Sequence, residues 1–271
     1  MALSNGEQKI FIWIDFSPET EVTIMHGLEV AFILKKEVCL IYCPGKQGLE
    51  AAEAELRLSR LSEPLVALLG SGRVHYFTAQ NPLSEIITEL AEEYDTLLLV
   101  AHKKNSRELL RQLPGSGFPF LFVSDSQNIG SGYKNIAVPV GYMKKSKDLA
   151  LWSSYFARHN GAEITLLKSI ELFGEDARIV MNNLFSIERL FKNFKFPYQI
   201  VECHTPTWKL QKKALEHALS FRHGLLIISF THNPSFIDQI LKVNDAFVIN
   251  HSEDLSVMCI NSQRDLYTLC G

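Results

Sequence analysis

Apolar residues come along this chain in short unbroken bursts, separated by longer stretches in which they recur every third or fourth place. The first-half bursts are IFIWI (10–14), VCLIY (38–42), RVHYFT (73–78), TLLLVA (96–101) and FPFLFV (118–123), and each reads as a strand. TLLLVA is apolar throughout, as a strand covered on both faces would be. The periodic stretches between them predict helices. The first begins near Ser17-Pro18, with Ser17 as N-cap and Pro18 in the first turn, where its missing N–H costs nothing. A second runs from about Leu49 to Leu69, bent or broken at Pro64. Asn81-Pro82 opens a third, with Ile86, Ile87, Leu90 and Ala91 on one face, and a shorter one covers about Ser106 to Leu113.

The second half repeats this order. Its strands are NIAVPV, EITLLK, YQIVEC, GLLIISF and SVMCI, with helices predicted over about 146–159, 176–193, 208–221 and 236–241. Ile10 and Ile136 stand 126 positions apart, and the same shift brings Val38 onto Ile164 and Leu40 onto Leu166. The polar stretch SDSQNIGSGYK (124–134) reads as a hinge, which puts the boundary near residue 130 and gives domains 1–130 and 131–271. Strand alternating with helix implies α/β domains, each a parallel sheet wound on both faces.

Composition narrows the class of partner. The 271 residues are 46% hydrophobic with a net charge of -3, so no basic field draws in nucleic acid or an anionic membrane. No apolar run approaches the roughly 18 residues of a membrane span, and the amino terminus lacks the pattern of a signal peptide. Five cysteines without a CxxC pair fit buried thiols in a reducing cytoplasm. The nine histidines include no HExxH, and no metal site is expected. The aromatic run LFSIERLFKNFKFPY (184–198) places Leu184, Ile187, Leu190, Phe191 and Phe194 at helical spacing, as a core face would.

The run KNIAVPVGYMKKSKDLALWSSYFARHNGAEITLLKSIE (134–171) resembles the opening of a universal stress protein domain. PLSEIITELAEEYDTLLLVA (82–101) and FPFLFVSD (118–125) resemble that family's third helix and its fourth and fifth strands. The resemblance implies two tandem flavodoxin-like domains of the adenine nucleotide alpha hydrolase type, each with a five-stranded parallel sheet. It also implies stress-related binding roles, often an adenine nucleotide, and an internal pseudo-dimer in which FPFLFV and LSVMCI meet, with further homodimerisation open.

In nucleotide-binding members of that family an aspartate after the first strand contacts the nucleotide, and a glycine series after the fourth holds phosphates. Asp15 stands at the first of these positions, but the repeat has Gly141 there. The segments after the fourth strands, AHKKNSRELLRQLPGSG and SFTHNPSFIDQILKVNDAFVINHS, do not carry the series. The GSG triplets at 70–72, 115–117 and 130–132 fall before strands, at the other end of the sheet, and no P-loop pattern occurs. Ser17, Lys103, Lys104, Lys144, Lys145, His232 and Asn233 gather at strand ends, where they would bind a small anion; the plainer reading makes Ser17, Asn105 or Ser106, Ser146 and Asn233 helix caps and the lysines solvated surface charges. No catalytic constellation assembles from these loops. The sequence therefore predicts a binding or scaffolding module for a protein or small-molecule partner, with no cofactor. Its rival is an ATP- or AMP-dependent switch or weak ATP hydrolase centred on Asp15, and a third reading is a sensor of another small anion or apolar metabolite in the first domain.

Overall fold

The apolar bursts are strands and the periodic stretches helices in the computed structural model, which describes residues 8–44, 48–70, 72–125, 132–142, 146–171, 174–221, 224–230 and 245–261. The chain divides into two compact units, Met1–Ile129 and Gly130–Gly271. The predicted boundary lies outside the described residues.

In the first unit β1 (Lys9–Trp13), β2 (Glu37–Tyr42), β3 (Val74–Thr78), β4 (Thr96–His102) and β5 (Phe120–Val123) form a sheet in the order β3-β2-β1-β4-β5. All its pairings are parallel, with Ile10 beside Val38 on one side and Leu98 on the other. Every residue of β1, β4 and β5 is buried, which requires cover on both faces. The helices are α1 (Thr20–Leu34), α2 (Ala51–Leu69), α3 (Leu83–Glu92), α4 (Ser106–Leu109) and α5 (Leu113–Ser116). Gly27 lets α1 approach β1 closely, since a Cβ there would lie 2.5 Å from Ile12 Cγ1.

The second unit repeats the permutation. β6 (Asn135–Val140), β7 (Glu163–Ser169), β8 (Tyr198–Cys203), β9 (Gly224–Ser229) and β10 (Ser256–Ile260) are ordered β10-β9-β6-β7-β8, again in parallel. Its helices among the described residues are α6 (Ser146–Asn160), α7 (Gly174–Phe194), α8 (Thr207–Ala218) and α9 (Asp245–Asn250). The helix predicted at 236–241 lies outside the described residues, and α9 had no periodic signal in so short a segment.

Four local expectations are corrected. Helix α1 starts at Thr20 with Glu19 at its N-cap, because Ser17 is drawn into a turn with Asp15. Helix α2 runs unbroken through Pro64. Both Pro64 and Arg60, the residue whose carbonyl loses its donor, are exposed, so water can take that bond. The helix predicted over Ser106–Leu113 is two single turns, α4 and α5, separated at Leu110–Gln112. On α7, Leu184, Ile187 and Phe191 are buried, whereas Phe194 is 54% exposed. Phe194 sits in the last turn, stacked on Phe196 with the Arg158 guanidinium over its ring.

Candidate functional site

Both sheets reverse their winding beside the first strand, and in the first unit this opens a crevice between the carboxyl ends of β1 and β4. Open α/β sheets receive ligands at such a point. The sequence places Asp15 in one loop there and Lys103, Lys104 and Asn105 in the other.

Asp15 is half-buried and fully engaged by its own chain. Its Oδ1 accepts from the Ser17 backbone N–H at 3.0 Å, the Ser17 hydroxyl at 2.5 Å and the Thr20 hydroxyl at 3.2 Å. Its Oδ2 accepts from Asn105 Nδ2 at 2.9 Å and lies 3.3 Å from Lys104 Nζ. A carboxylate offers about four lone-pair sites, so these partners saturate it. Burial raises the carboxyl pKa, but the hydrogen bonds from Ser17 and Asn105 and the charge of Lys104 outweigh it and lower the pKa to about 2. Lys104 also pairs with the Glu19 carboxylate, which lowers the Glu19 pKa to about 2. For Lys104 itself, burial works against the charge, and the two carboxylates together push its pKa up.

The loop after β4 is tightly wound. His102 ends the strand, its Nδ1 accepts from the Lys104 N–H at 3.4 Å, and one 3₁₀ turn (Lys103–Asn105) leads into α4. Lys103 lies on that turn, its charge bearing on the His102 ring. Thus Asp15, Ser17 and Lys104 of the sequence candidates meet in one cluster. Lys144, Lys145, His232 and Asn233 lie outside the described residues.

In the second unit the equivalent position is closed by packing. Gly141 follows β6, and a Cβ there would lie 2.7 Å from Thr207 Oγ1 at the start of α8. The Thr207 hydroxyl accepts from the Tyr142 N–H at 3.3 Å and bonds Ser169 Oγ at 3.0 Å, while the Glu171 carboxylate accepts the Thr207 N–H at 2.7 Å. Asn183 Nδ2 donates to the Gly141 carbonyl at 2.9 Å. A side chain at 141 has no room.

Sequence reasoning missed three features. His26 on α1 and His102 are buried near each other. Burial lowers His26 to about 4 against the hydrogen bond of the Ser124 carbonyl, and His102 is also lowered by burial although its Nε2 lies 3.1 Å from Asp125 Oδ1. Isolated histidines in apolar surroundings carry no sequence signal for this pairing. A cleft of about 440 Å³ opens between the loop after β1 and α2, lined by Phe16, Arg57, Arg60 and Leu61 among others. A second, of about 420 Å³, lies past β8, lined by Cys203, His204, Lys213 and His217. Burial pushes the Cys203 thiol pKa up, as it does for Cys39 and Cys43. Among the described residues no His, Cys, Asp and Glu group could hold a metal ion, and no helix is long and apolar enough to cross a membrane.

These units have the fold of the universal stress proteins. The structure aligns with a universal stress protein from Archaeoglobus fulgidus DSM 4304 at a TM-score of 0.62 and 14% identity, over 93% of this chain and 96% of the other. A functionally unknown protein from Pseudomonas aeruginosa PAO1 aligns at 0.63 and 14% identity, over 94% and 92%. A provisionally named universal stress protein from P. aeruginosa UCBPP-PA14 aligns at 0.60 and 13% identity, over 93% of each chain. No family model and no curated protein matches the sequence. At this identity the likeness speaks for the fold.

Proposed function

We infer that the chain is a universal stress protein-like binding or regulatory module that performs no catalysis and does not hold ATP in the family's manner. The observation that carries this reading is the saturation of Asp15 by Ser17, Thr20, Asn105 and Lys104. A nucleotide would have to displace charge-assisted bonds already made, and it would find no glycine loop after β4 to reward the exchange. Thr207 supports the same reading for the second unit, where it fills the space an aspartate would need. Four buried free thiols among the described residues suit a reducing cytoplasm.

The second reading, an adenine-nucleotide switch or weak ATP hydrolase, draws on one feature: Lys104 brings a cation to the crevice beside Asp15. Equilibrium dialysis against ATP, ADP and AMP separates the two. Retention that disappears with Asp15→Ala supports the switch, and no retention supports the module.

A further inference from the structure

The Asp15 cluster does more than close a crevice; it fixes the residue that follows. Phe16 is a non-glycine residue at φ 55, in the left-handed region that costs an L-residue energy. The turn closed by Asp15 and Ser17 holds it there and carries its ring out of the sheet, to 5.1 Å from the Tyr42 ring. The Arg57 guanidinium lies over the same ring, 5.6 Å from its centroid. The ring so placed borders an open surface cleft.

That cleft, open to solvent, has a volume of about 440 Å³, within the roughly 300–1,000 Å³ range of small-molecule sites. Phe16, Pro18 and Leu61 give it an apolar surface. Its charges come from two helices. Arg57 is neutralised by Glu53 at 2.5 Å. Glu21 on α1 and Arg60 on α2 are different, because neither has an ion-pair or hydrogen-bond partner among the described residues and they do not pair with each other. The Ser17 and Thr20 hydroxyls on the wall are already donated to Asp15. The unspent polar determinants are therefore one anion and one cation, beside an apolar surface.

We propose that this cleft binds a small zwitterion carrying a flat apolar group, namely a free α-amino acid with an aromatic side chain. The carboxylate lies on Arg60, whose planar fork suits it, the ammonium on Glu21, and the side chain against Phe16 and Leu61. A dianion such as an organic phosphate meets repulsion from Glu21, and a plain amine leaves Arg60 unanswered. The proposal rests on the reading of the chain as a binding module and supplies that module with a ligand class.

The test is isothermal titration of the full chain with L-phenylalanine, beside phenethylamine, 3-phenylpropionate and glycine, each of which lacks one of the three groups. Both charged contacts are exposed, so the expected dissociation constant for L-phenylalanine is about 1 mM, with each truncated probe at least about tenfold weaker. Arg60→Ala and Glu21→Gln, at exposed positions that leave the fold intact, are each expected to weaken L-phenylalanine by about tenfold or more. Absence of saturable heat with L-phenylalanine, or binding that neither variant weakens, overturns the proposal. Nucleotide binding abolished by Asp15→Ala overturns the module reading, whereas silence toward both amino acid and nucleotide overturns this inference alone.

Discussion

Asn105 Nδ2 donates to Asp15 Oδ2 across 2.9 Å and thereby ties the loop after β4 to the loop after β1. The two loops are the walls of the crevice where this class of sheet takes its ligands. The bond between them is made from the protein's own side chains.

The first prediction concerns acid stability. Asp15 has a folded pKa of about 2 against an ordinary value of 3.8, so its contribution is present above about pH 4 and is lost as pH falls toward 2. Discounted for solvent exposure, it amounts to about 1 kcal/mol. Urea unfolding of the wild type and Asp15→Asn between pH 2 and pH 6 is expected to show the difference near neutrality and its collapse at the acid end.

His26 gives a second, separable titration. Burial depresses its folded pKa to about 4 from the ordinary value of 6.5, so the folded state takes up this proton only at greater acidity than the unfolded chain. Stability from His26 is fully present above about pH 6.5 and is lost as pH falls through 4, amounting to about 3 kcal/mol. Replacing His26 by Gln is expected to flatten this part of the pH profile while leaving the Asp15 step at lower pH.

How much of this was legible in the letters depends on the range of the interaction. The strands were, because an unbroken apolar run such as TLLLVA has few ways to bury itself other than in a sheet covered on both faces. The repeat also exposed Gly141 as the counterpart of Asp15. Ser17 misled, because a serine before a helix looks the same whether it caps the helix or donates to a carboxylate two residues back. Phe194 misled because helical spacing specifies a face but not where the neighbouring layer ends. Lys104 was a candidate, yet its partners Asp15 and Glu19 lie on another element, and pairing across that distance has no local pattern.

The third prediction follows from Gly141. Gly141→Ala brings a methyl group against the Thr207 side chain and is expected to destabilise the second unit by about 1–3 kcal/mol. The double variant Gly141→Ala with Thr207→Gly removes the obstruction. Its cost is expected to fall short of the sum of the single changes, a coupling of about 1 kcal/mol measurable by a double-mutant cycle. Strict additivity would mean that Thr207 does not fill the position.

A fourth outcome separates a loop tie from a ligand contact. Asn105→Ala removes one donor from Asp15 and unlinks the two loops, so amide hydrogen exchange is expected to speed up across residues 15–20 and 103–106. If Asn105 belonged to a ligand site and not to the resting structure, exchange in the absence of ligand would be unchanged.

Whether Asp15 is held by its own chain or kept for a nucleotide is decided by calorimetric titration of ATP into the purified chain, wild type beside Asp15→Ala. No saturable heat is expected for either protein, since the carboxylate and the loop after β4 are already spent on each other. Micromolar binding by the wild type that Asp15→Ala abolishes would contradict it.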